Sequence, residues 1–168
     1  MGSTTAMRVA ITGATGNVGT SLLRSLVDDP TVESIVGVAR RLPNLDLDKT
    51  EWVPADVAED DLVPIFRGAD VVVHLAWLIQ PSHDRAVTWR TNQEGSRRVF
   101  AAAAEAGAGA VVYASSVGAY SAGPKDYGVD ETWPTRGVPT SFYSVDKAAT
   151  ERILDSFEDE HPGIRVVR

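Results

Sequence analysis

The stretch that decides the fold is Gly13-Ala14-Thr15-Gly16-Asn17-Val18-Gly19, in which three glycines join a short apolar run to a helical pattern. Glycine permits a tight turn, lets the backbone approach a phosphate, and allows a helix to pack closely against a strand. The N-terminus of the following helix adds free N–H groups and partial positive charge, which favour a bound phosphate. The stretch therefore predicts a pyrophosphate-binding turn, with all of its residues contacting a dinucleotide; an ordinary glycine-rich turn is the alternative.

Short valine-rich runs alternate with helical patterns on both sides of this turn. The predicted strands cover residues 8–12, 34–39, 51–55, 71–76, 110–115 and 164–167. The predicted helices cover residues 16–27, 62–67, 88–106 and 142–160. Such alternation is typical of an α/β protein with a doubly wound parallel sheet, the Rossmann fold. It predicts the strand order 3-2-1-4-5-6 within a single domain over residues 1–168, with ligands bound where the order reverses.

The composition restricts the partners. The chain has 168 residues, a formal net charge of -7 and no cysteine. Disulfides, thiolate metal sites and a cysteine nucleophile are thereby excluded, and we expect no metal site. The acidic charge argues against nucleic acid, although a local turn can still hold a dinucleotide. With no apolar run near the ~18 residues of a membrane span, and no secretory signal in residues 1–6, we expect a cytoplasmic protein that takes a small-molecule substrate, with a homodimer left open.

The end of the second predicted strand bears on the choice of cofactor. It has the sequence Gly37-Val38-Ala39-Arg40-Arg41, without the acid that usually holds the ribose hydroxyls of NAD. Arginine matches a 2′-phosphate in charge and in the geometry of its donors. Arg40 and Arg41 therefore favour NADP over NAD, and two solvated surface arginines are the alternative.

A second group of residues indicates acid–base chemistry. Tyr143 and Lys147 lie four residues apart on a predicted helix, so they share a face. A neighbouring lysine ammonium can lower the pKa of a tyrosine toward the range that a general base needs. Ser115 and Ser116 end the fifth predicted strand, at the edge where ligands bind, and either can orient a substrate oxygen. A chance pair on a helix surface is the alternative for Tyr143 and Lys147.

These motifs together resemble the extended short-chain dehydrogenase/reductase superfamily, and within it the NAD(P)-dependent epimerase/dehydratase family. The Gly-x-x-Gly-x-x-Gly spacing is similar to its cofactor motif, and the resemblance runs from residue 8 to residue 168. In the family the Ser/Thr precedes an aromatic residue by four, which selects Ser116, four before Tyr120. The segment around Asn92 resembles the one that helps to position the lysine; a simple polar residue on a helix is the alternative.

The resemblance also implies further cofactor contacts. Asp56 and Val57 match the positions that cap the adenine. The stretch His74-Leu75-Ala76-Trp77 resembles an Asn/His-x-Ala-Ala stretch beside the cofactor, so Leu75, Ala76 and Trp77 are expected to flank it, together with Tyr143 and Lys147. Trp77 stands where the family has alanine, which would narrow the site. His74 is interpreted as structural rather than as a base or ligand.

The implied reaction is hydride transfer between nicotinamide C4 and a substrate carbon. Tyr143 would be the general acid–base, Lys147 would support it and bind the nicotinamide ribose, and Ser116 would bind the substrate oxygen. The substrate would be a nucleotide sugar or a small carbonyl or hydroxyl compound, with the loops 78–87 and 121–141 at its entrance. Family members normally continue into a substrate-binding lobe, which we expect to be absent from these 168 residues. The alternative is a regulatory or truncated cofactor-binding module without turnover.

Overall fold

A computed structural model describes residues 6–81 and 83–168; the predicted absence of a signal in residues 1–6 falls mostly outside this range, as does Ser82 of the first predicted entrance loop. The elements along the chain are β1 (Met7–Thr12), α1 (Asn17–Val27), β2 (Val32–Ala39), β3 (Thr50–Pro54), α2 (Val63–Phe66), β4 (Val71–His74), α3 (Arg85–Trp89), a π-helical segment (Arg90–Gly95), α4 (Ser96–Glu105), β5 (Ala110–Tyr113), a 3-10 turn (Val117–Ala119), α5 (Phe142–Glu160) and β6 (Arg165–Val167).

The sheet confirms the predicted topology. Within the described residues, six parallel strands form one sheet in the order β3-β2-β1-β4-β5-β6. The register aligns the carboxyl ends of its central strands, because Thr12 pairs with Val38 and His74, and His74 pairs with Tyr113. The order reverses between β1 and β4, so the segments that follow these strands meet at one edge of the sheet.

Apolar side chains pack on both faces of the sheet, as a doubly wound fold requires. On one face, Leu23 of α1 packs with Ile11 and Ile35. On the other face, Phe100 of α4 and Phe157 of α5 lie together, with ring centroids 5.8 Å apart. Among the helices of the described residues, none has both the length and the apolar character to cross a membrane.

The predicted element boundaries are wrong mainly where the chain approaches the edge that carries the turn. β4 ends at His74 and β5 at Tyr113, two residues earlier than predicted in each case. The chain leaves the sheet there and runs over its carboxyl edge. The helix predicted from residue 88 begins at Arg85, because the Asp84 side chain accepts hydrogen bonds from the backbone N–H groups of Ala86 and Val87. α5 has the predicted bounds and is capped by Ser141.

Candidate active site

The glycine turn between β1 and α1 is packed so closely at two of its glycines, Gly13 and Gly19, that a side chain there would not fit. Gly13 has φ +71°, and a Cβ there would lie 2.6 Å from the backbone N of Ala76. A Cβ on Gly19 would lie 2.5 Å from the carbonyl oxygen of Gly13. α1 begins after Gly16 without any side-chain cap, so its first N–H groups remain available to a ligand. These features fit an anion held at the helix N-terminus.

A cavity of about 280 Å³ opens beside this turn. It is lined by the turn itself, by the ends of β2 and β3, and by the segment that follows β4. Of the predicted cofactor residues, the ones that line it are Gly13, Thr15, Gly16, Arg40, Asp56, Val57, Leu75, Ala76 and Trp77. Ala14 is fully buried, whereas Val18 is largely exposed. The cavity lies at the reversal of strand order, and its glycine cradle and helix N-terminus fit a dinucleotide.

The two arginines after β2 differ in position. Arg40 lines the cavity, and its Nη1 lies 4.0 Å from Oδ2 of Asp56. Its side chain is about half exposed (54%), so this contact leaves the guanidinium accessible. The Asp56 carboxylate also accepts a hydrogen bond of 2.9 Å from the backbone N–H of Ala58. Arg41 is exposed at the surface.

Lys147 of α5 is buried beside the ends of β4 and β5. Its Nζ donates hydrogen bonds to the Tyr113 hydroxyl at 3.1 Å and to the Ala114 carbonyl at 2.7 Å. Burial lowers the pKa of Lys147 to about 8, against the opposing attraction of Glu151. Burial also raises the pKa of Tyr113, which therefore stays a neutral hydroxyl. Lys147 is thus a buried ammonium at neutral pH.

Tyr143 and Lys147 face the same cavity, of about 190 Å³, as their spacing predicts. The Lys147 Nζ lies 6.0 Å from the centroid of the Tyr143 ring. Trp77 lies between these two residues and the first cavity. The centroid of its ring is 3.7 Å from the Lys147 Nζ and 6.1 Å from the centroid of the Tyr143 ring, which it meets edge-on. This second cavity shares Leu75, Ala76 and Trp77 with the first.

Ser116 and Tyr143 both lie against Gly118, but the serine that lines the cavity of Tyr143 and Lys147 is Ser115. A Cβ on Gly118 would be 3.3 Å from Oγ of Ser116 and 3.2 Å from Cε1 of Tyr143. The Ser116 hydroxyl accepts a hydrogen bond of 3.0 Å from the backbone N–H of Gly118. Ser115 instead donates a short hydrogen bond to the buried Glu151. Both serines line a further cavity of about 430 Å³, to which Thr135 of the loop 121–141 also contributes.

Asn92 is buried in the π-helical segment and contacts the segment after β4 rather than Lys147. Its Oδ1 accepts from the backbone N–H of Leu78, and its Nδ2 donates to the carbonyl of Leu78, each at 2.7 Å. Leu78 follows Trp77 directly, so this two-point contact fixes the backbone beside the indole. The predicted role of Asn92 in positioning the lysine would therefore act through this segment.

Sequence reasoning missed two partners of α5. Tyr113 was not singled out, although its hydroxyl binds Lys147. The buried Asp146 carboxylate pairs with Arg85, whose Nη2 lies 2.6 Å from Oδ1, and the guanidinium of Arg85 also lies over the Phe142 ring. The capping residue type at Asp84 signals where α3 starts, but nothing local signals a contact across the 61 residues that separate Arg85 and Asp146.

His74 is structural, as predicted. It is fully buried, with Nδ1 2.7 Å from the Thr12 hydroxyl and Nε2 2.9 Å from the Ser96 hydroxyl. Because Ser96 donates to the Asn92 carbonyl, its hydroxyl accepts from Nε2–H, and Nδ1 accepts from Thr12. Burial, together with the charge of Lys147, lowers the pKa of His74 to about 3. The ring therefore stays neutral and joins β1, β4 and α4.

This burial makes the fold sensitive to acid. Between pH 6.5 and about 3 the unfolded chain binds a proton at His74 and the folded chain does not, so stability decreases as pH falls. At pH 5 the loss due to this histidine should be about 2 kcal/mol. Urea unfolding of the wild type and of His74→Gln at pH 7 and pH 5 measures it. The variant should lose about 2 kcal/mol less, and an identical pH dependence would contradict the assignment.

Comparison with known proteins agrees with this geometry. The family model described as the NAD dependent epimerase/dehydratase family matches residues 9–168. The chain belongs to this family. Among curated proteins, this family member is 32% identical over 170 residues to UDP-glucose 4-epimerase of Mycolicibacterium smegmatis, covering 91% of the chain and 52% of that protein. It is 30% identical to L-arabinose 1-dehydrogenase (NAD(P)(+)) of Haloferax volcanii, covering 95% of the chain and 64% of that protein.

Solved structures show the same fold. MoeE5 in complex with UDP-glucuronic acid and NAD superposes with a TM-score of 0.80 at 31% identity, over 95% of this chain and 52% of that one. Uronate dehydrogenase from Agrobacterium tumefaciens superposes with a TM-score of 0.80 at 23% identity, over 95% of this chain and 58% of that one. The chain therefore spans about half to two thirds of the length of these relatives.

Proposed function

We propose that this chain carries the cofactor-binding and acid–base residues of an NAD(P)-dependent epimerase or dehydrogenase that transfers a hydride to or from a carbon of a sugar or nucleotide sugar. One observation carries the proposal: Tyr143 and the buried Lys147 face a cavity that shares Leu75, Ala76 and Trp77 with the cleft beside the glycine turn. The relatives support the substrate class, since one is a UDP-glucose 4-epimerase and another was solved with UDP-glucuronic acid.

The residues around the first cavity would hold the dinucleotide. The N–H groups at the start of α1 would bind the pyrophosphate, Asp56 and Val57 would border the adenine, and Leu75 and Ala76 would contact the nicotinamide half. When bound, the cofactor supplies a ring carbon that accepts or donates a hydride. The remaining chemistry is a proton transfer, which falls to residues of the chain.

Tyr143 would move that proton at the substrate oxygen. The positive charge of Lys147, whose Nζ lies 6.0 Å from the centroid of the Tyr143 ring, would stabilise negative charge that develops on the phenol oxygen, and the burial of Lys147 would strengthen the attraction. The hydroxyl of Ser116, which like Tyr143 lies against Gly118, would hydrogen-bond the same substrate oxygen. Tyr143, Lys147 and Ser116 then divide the work into proton transfer, charge stabilisation and orientation.

The reaction can be tested directly on the purified chain. It should be incubated with NAD or NADP and with UDP-glucose, UDP-glucuronic acid or L-arabinose. Cofactor reduction is followed by absorbance, and epimerised sugar is detected by chromatography. Turnover of any of these substrates supports the proposal. Cofactor binding without turnover would instead favour a cofactor-binding module that performs no reaction. This alternative is compatible with the chain covering only part of the length of its relatives.

We further propose that NADP binds more tightly than NAD. The accessible guanidinium of Arg40 at the mouth of the cleft supports this preference, as does the lack of an acid in the stretch from Gly37 to Arg41. Arg40→Ala should weaken NADP binding about tenfold, because a charge-assisted contact to the 2′-phosphate is lost. NAD binding should stay within about twofold, since NAD offers no such contact.

Isothermal titration with both cofactors measures these affinities. Arg41→Ala is the matched control: Arg40 lines the cleft and Arg41 does not belong to its lining residues, so this substitution should change neither affinity. A wild-type protein that binds NAD as tightly as NADP would contradict the preference. An equal loss of both cofactors in Arg40→Ala would contradict the role of Arg40.

A further inference from the structure

The indole of Trp77 separates the cleft beside the glycine turn from the cavity of Tyr143 and Lys147. It lines both, and it belongs to the segment whose backbone bears on Gly13. The ring is half-buried, packs edge-on against Tyr143, and follows a backbone that Asn92 fixes at Leu78. A ligand that extends from the glycine turn toward Tyr143 must therefore pass Trp77.

The hydrogen bonds of Lys147 show what the indole covers. An ammonium group has three N–H bonds. Two of those on Lys147 reach the Tyr113 hydroxyl and the Ala114 carbonyl, on the side of β5. The remaining side faces Trp77, whose ring centroid lies 3.7 Å from Nζ. This distance is that of a close cation–π contact, which has its greatest strength with tryptophan and in dry surroundings.

We propose that Trp77 is a specificity-determining residue. Its indole and the nicotinamide-ribose half of a dinucleotide compete for the same place beside Lys147, so both cannot be there at once. The inference rests on the proposed function, together with the role of Lys147 that the family resemblance implies, which is to bind the nicotinamide ribose. Binding of a whole dinucleotide requires the indole to leave the ammonium group. Binding of the adenosine half alone does not, because Arg40 and Asp56 follow β2 and β3, on the far side of β1 from the segment after β4 that carries Trp77.

Trp77 therefore weakens the binding of whole dinucleotides and leaves the binding of their adenosine half unchanged. Removing the ring should strengthen NADP binding about tenfold, because the dinucleotide then no longer displaces a buried cation–π contact. The energy of one such contact corresponds to about this ratio. The affinity for ADP, which has the pyrophosphate but no nicotinamide, should not change. A general disturbance of the cleft would change both affinities in the same direction, so the difference between the two ligands isolates this role of Trp77.

The experiment is isothermal titration of the wild type, Trp77→Ala and Trp77→Phe with NADP, NAD and ADP. Trp89→Ala, which removes an exposed indole of α3, is the matched control and should bind all three like the wild type. If Trp77→Ala does not fold, Trp77→Phe has a smaller ring and should gain about threefold for the dinucleotides alone. Dinucleotide binding that is unchanged, weaker, or shifted together with ADP overturns the proposal.

Titration of the wild type distinguishes a failure of this inference from a failure of the proposed function. If the folded wild type binds neither ADP nor a dinucleotide, the cofactor cleft itself is wrong, and the inference fails with it. If ADP and the dinucleotides bind the wild type but Trp77→Ala and Trp77→Phe leave their relative affinities unaltered, only the role of Trp77 is overturned.

Discussion

Replacing Tyr143 by phenylalanine should lower kcat about a thousandfold, because the variant lacks the hydroxyl that moves the substrate proton. The Kd of the dinucleotide should stay within about twofold, since the phenylalanine ring occupies the same space as the tyrosine ring. Steady-state kinetics with the best substrate of the wild type, together with titration of the cofactor, measures the two effects separately.

Tyr127→Phe is the matched control for this substitution. Tyr127 is exposed (64%) in the loop 121–141, so loss of its hydroxyl should leave kcat unchanged. Retention of more than about a tenth of the wild-type kcat by Tyr143→Phe would contradict its role as the acid–base, because positioned proton transfer contributes at least about a hundredfold. A parallel loss of cofactor binding would indicate instead that the substitution disturbs the cleft.

Gly13→Ala should destabilise the fold by about 3–4 kcal/mol, from two causes that add. Its φ of +71° is a left-handed conformation that a residue with a Cβ adopts at a cost. The new Cβ would also lie 2.6 Å from the backbone N of Ala76, so strand β1 and the segment after β4 would have to separate. Urea unfolding followed by circular dichroism measures the loss.

Gly68→Ala distinguishes the two causes. Gly68 has a similar φ of +76°, but a Cβ there would meet no atom within 4 Å. Its substitution should therefore cost about 1 kcal/mol, the conformational part alone. Equal destabilisation by the two substitutions would show that the close approach of Gly13 to Ala76 does not constrain the fold.

Most of the fold could be predicted because its signals are local. The valine run that forms β4 indicates a buried parallel strand, and the alternation of such runs with helical patterns indicates the strand order. The end of β4 could not be predicted, because the apolar residues Leu75 and Ala76 continue the valine run beyond His74. Where that run leaves the sheet depends on the turn of Gly13 against which it packs.

In the candidate site, too, contacts between residues close in sequence could be predicted and contacts that depend on the fold could not. The pairing of Tyr143 with Lys147 follows from helix geometry, so four residues of spacing were sufficient to predict it. The contact of Lys147 with Tyr113 spans 34 residues and depends on which strands are neighbours. Trp77 could be predicted to narrow the site, but its position over the Lys147 ammonium depends on the path of the chain after β4, which Asn92 fixes from 14 residues away.

We propose above all that the turn from Gly13 to Gly19 holds the pyrophosphate of a dinucleotide. The position of NADP in a crystal structure of this chain grown with the cofactor tests it most directly. We predict pyrophosphate oxygens within about 3 Å of the backbone N–H groups at the start of α1, with the 2′-phosphate beside Arg40. A dinucleotide bound elsewhere, or a turn that stays empty in crystals grown at saturating NADP, would contradict the claim.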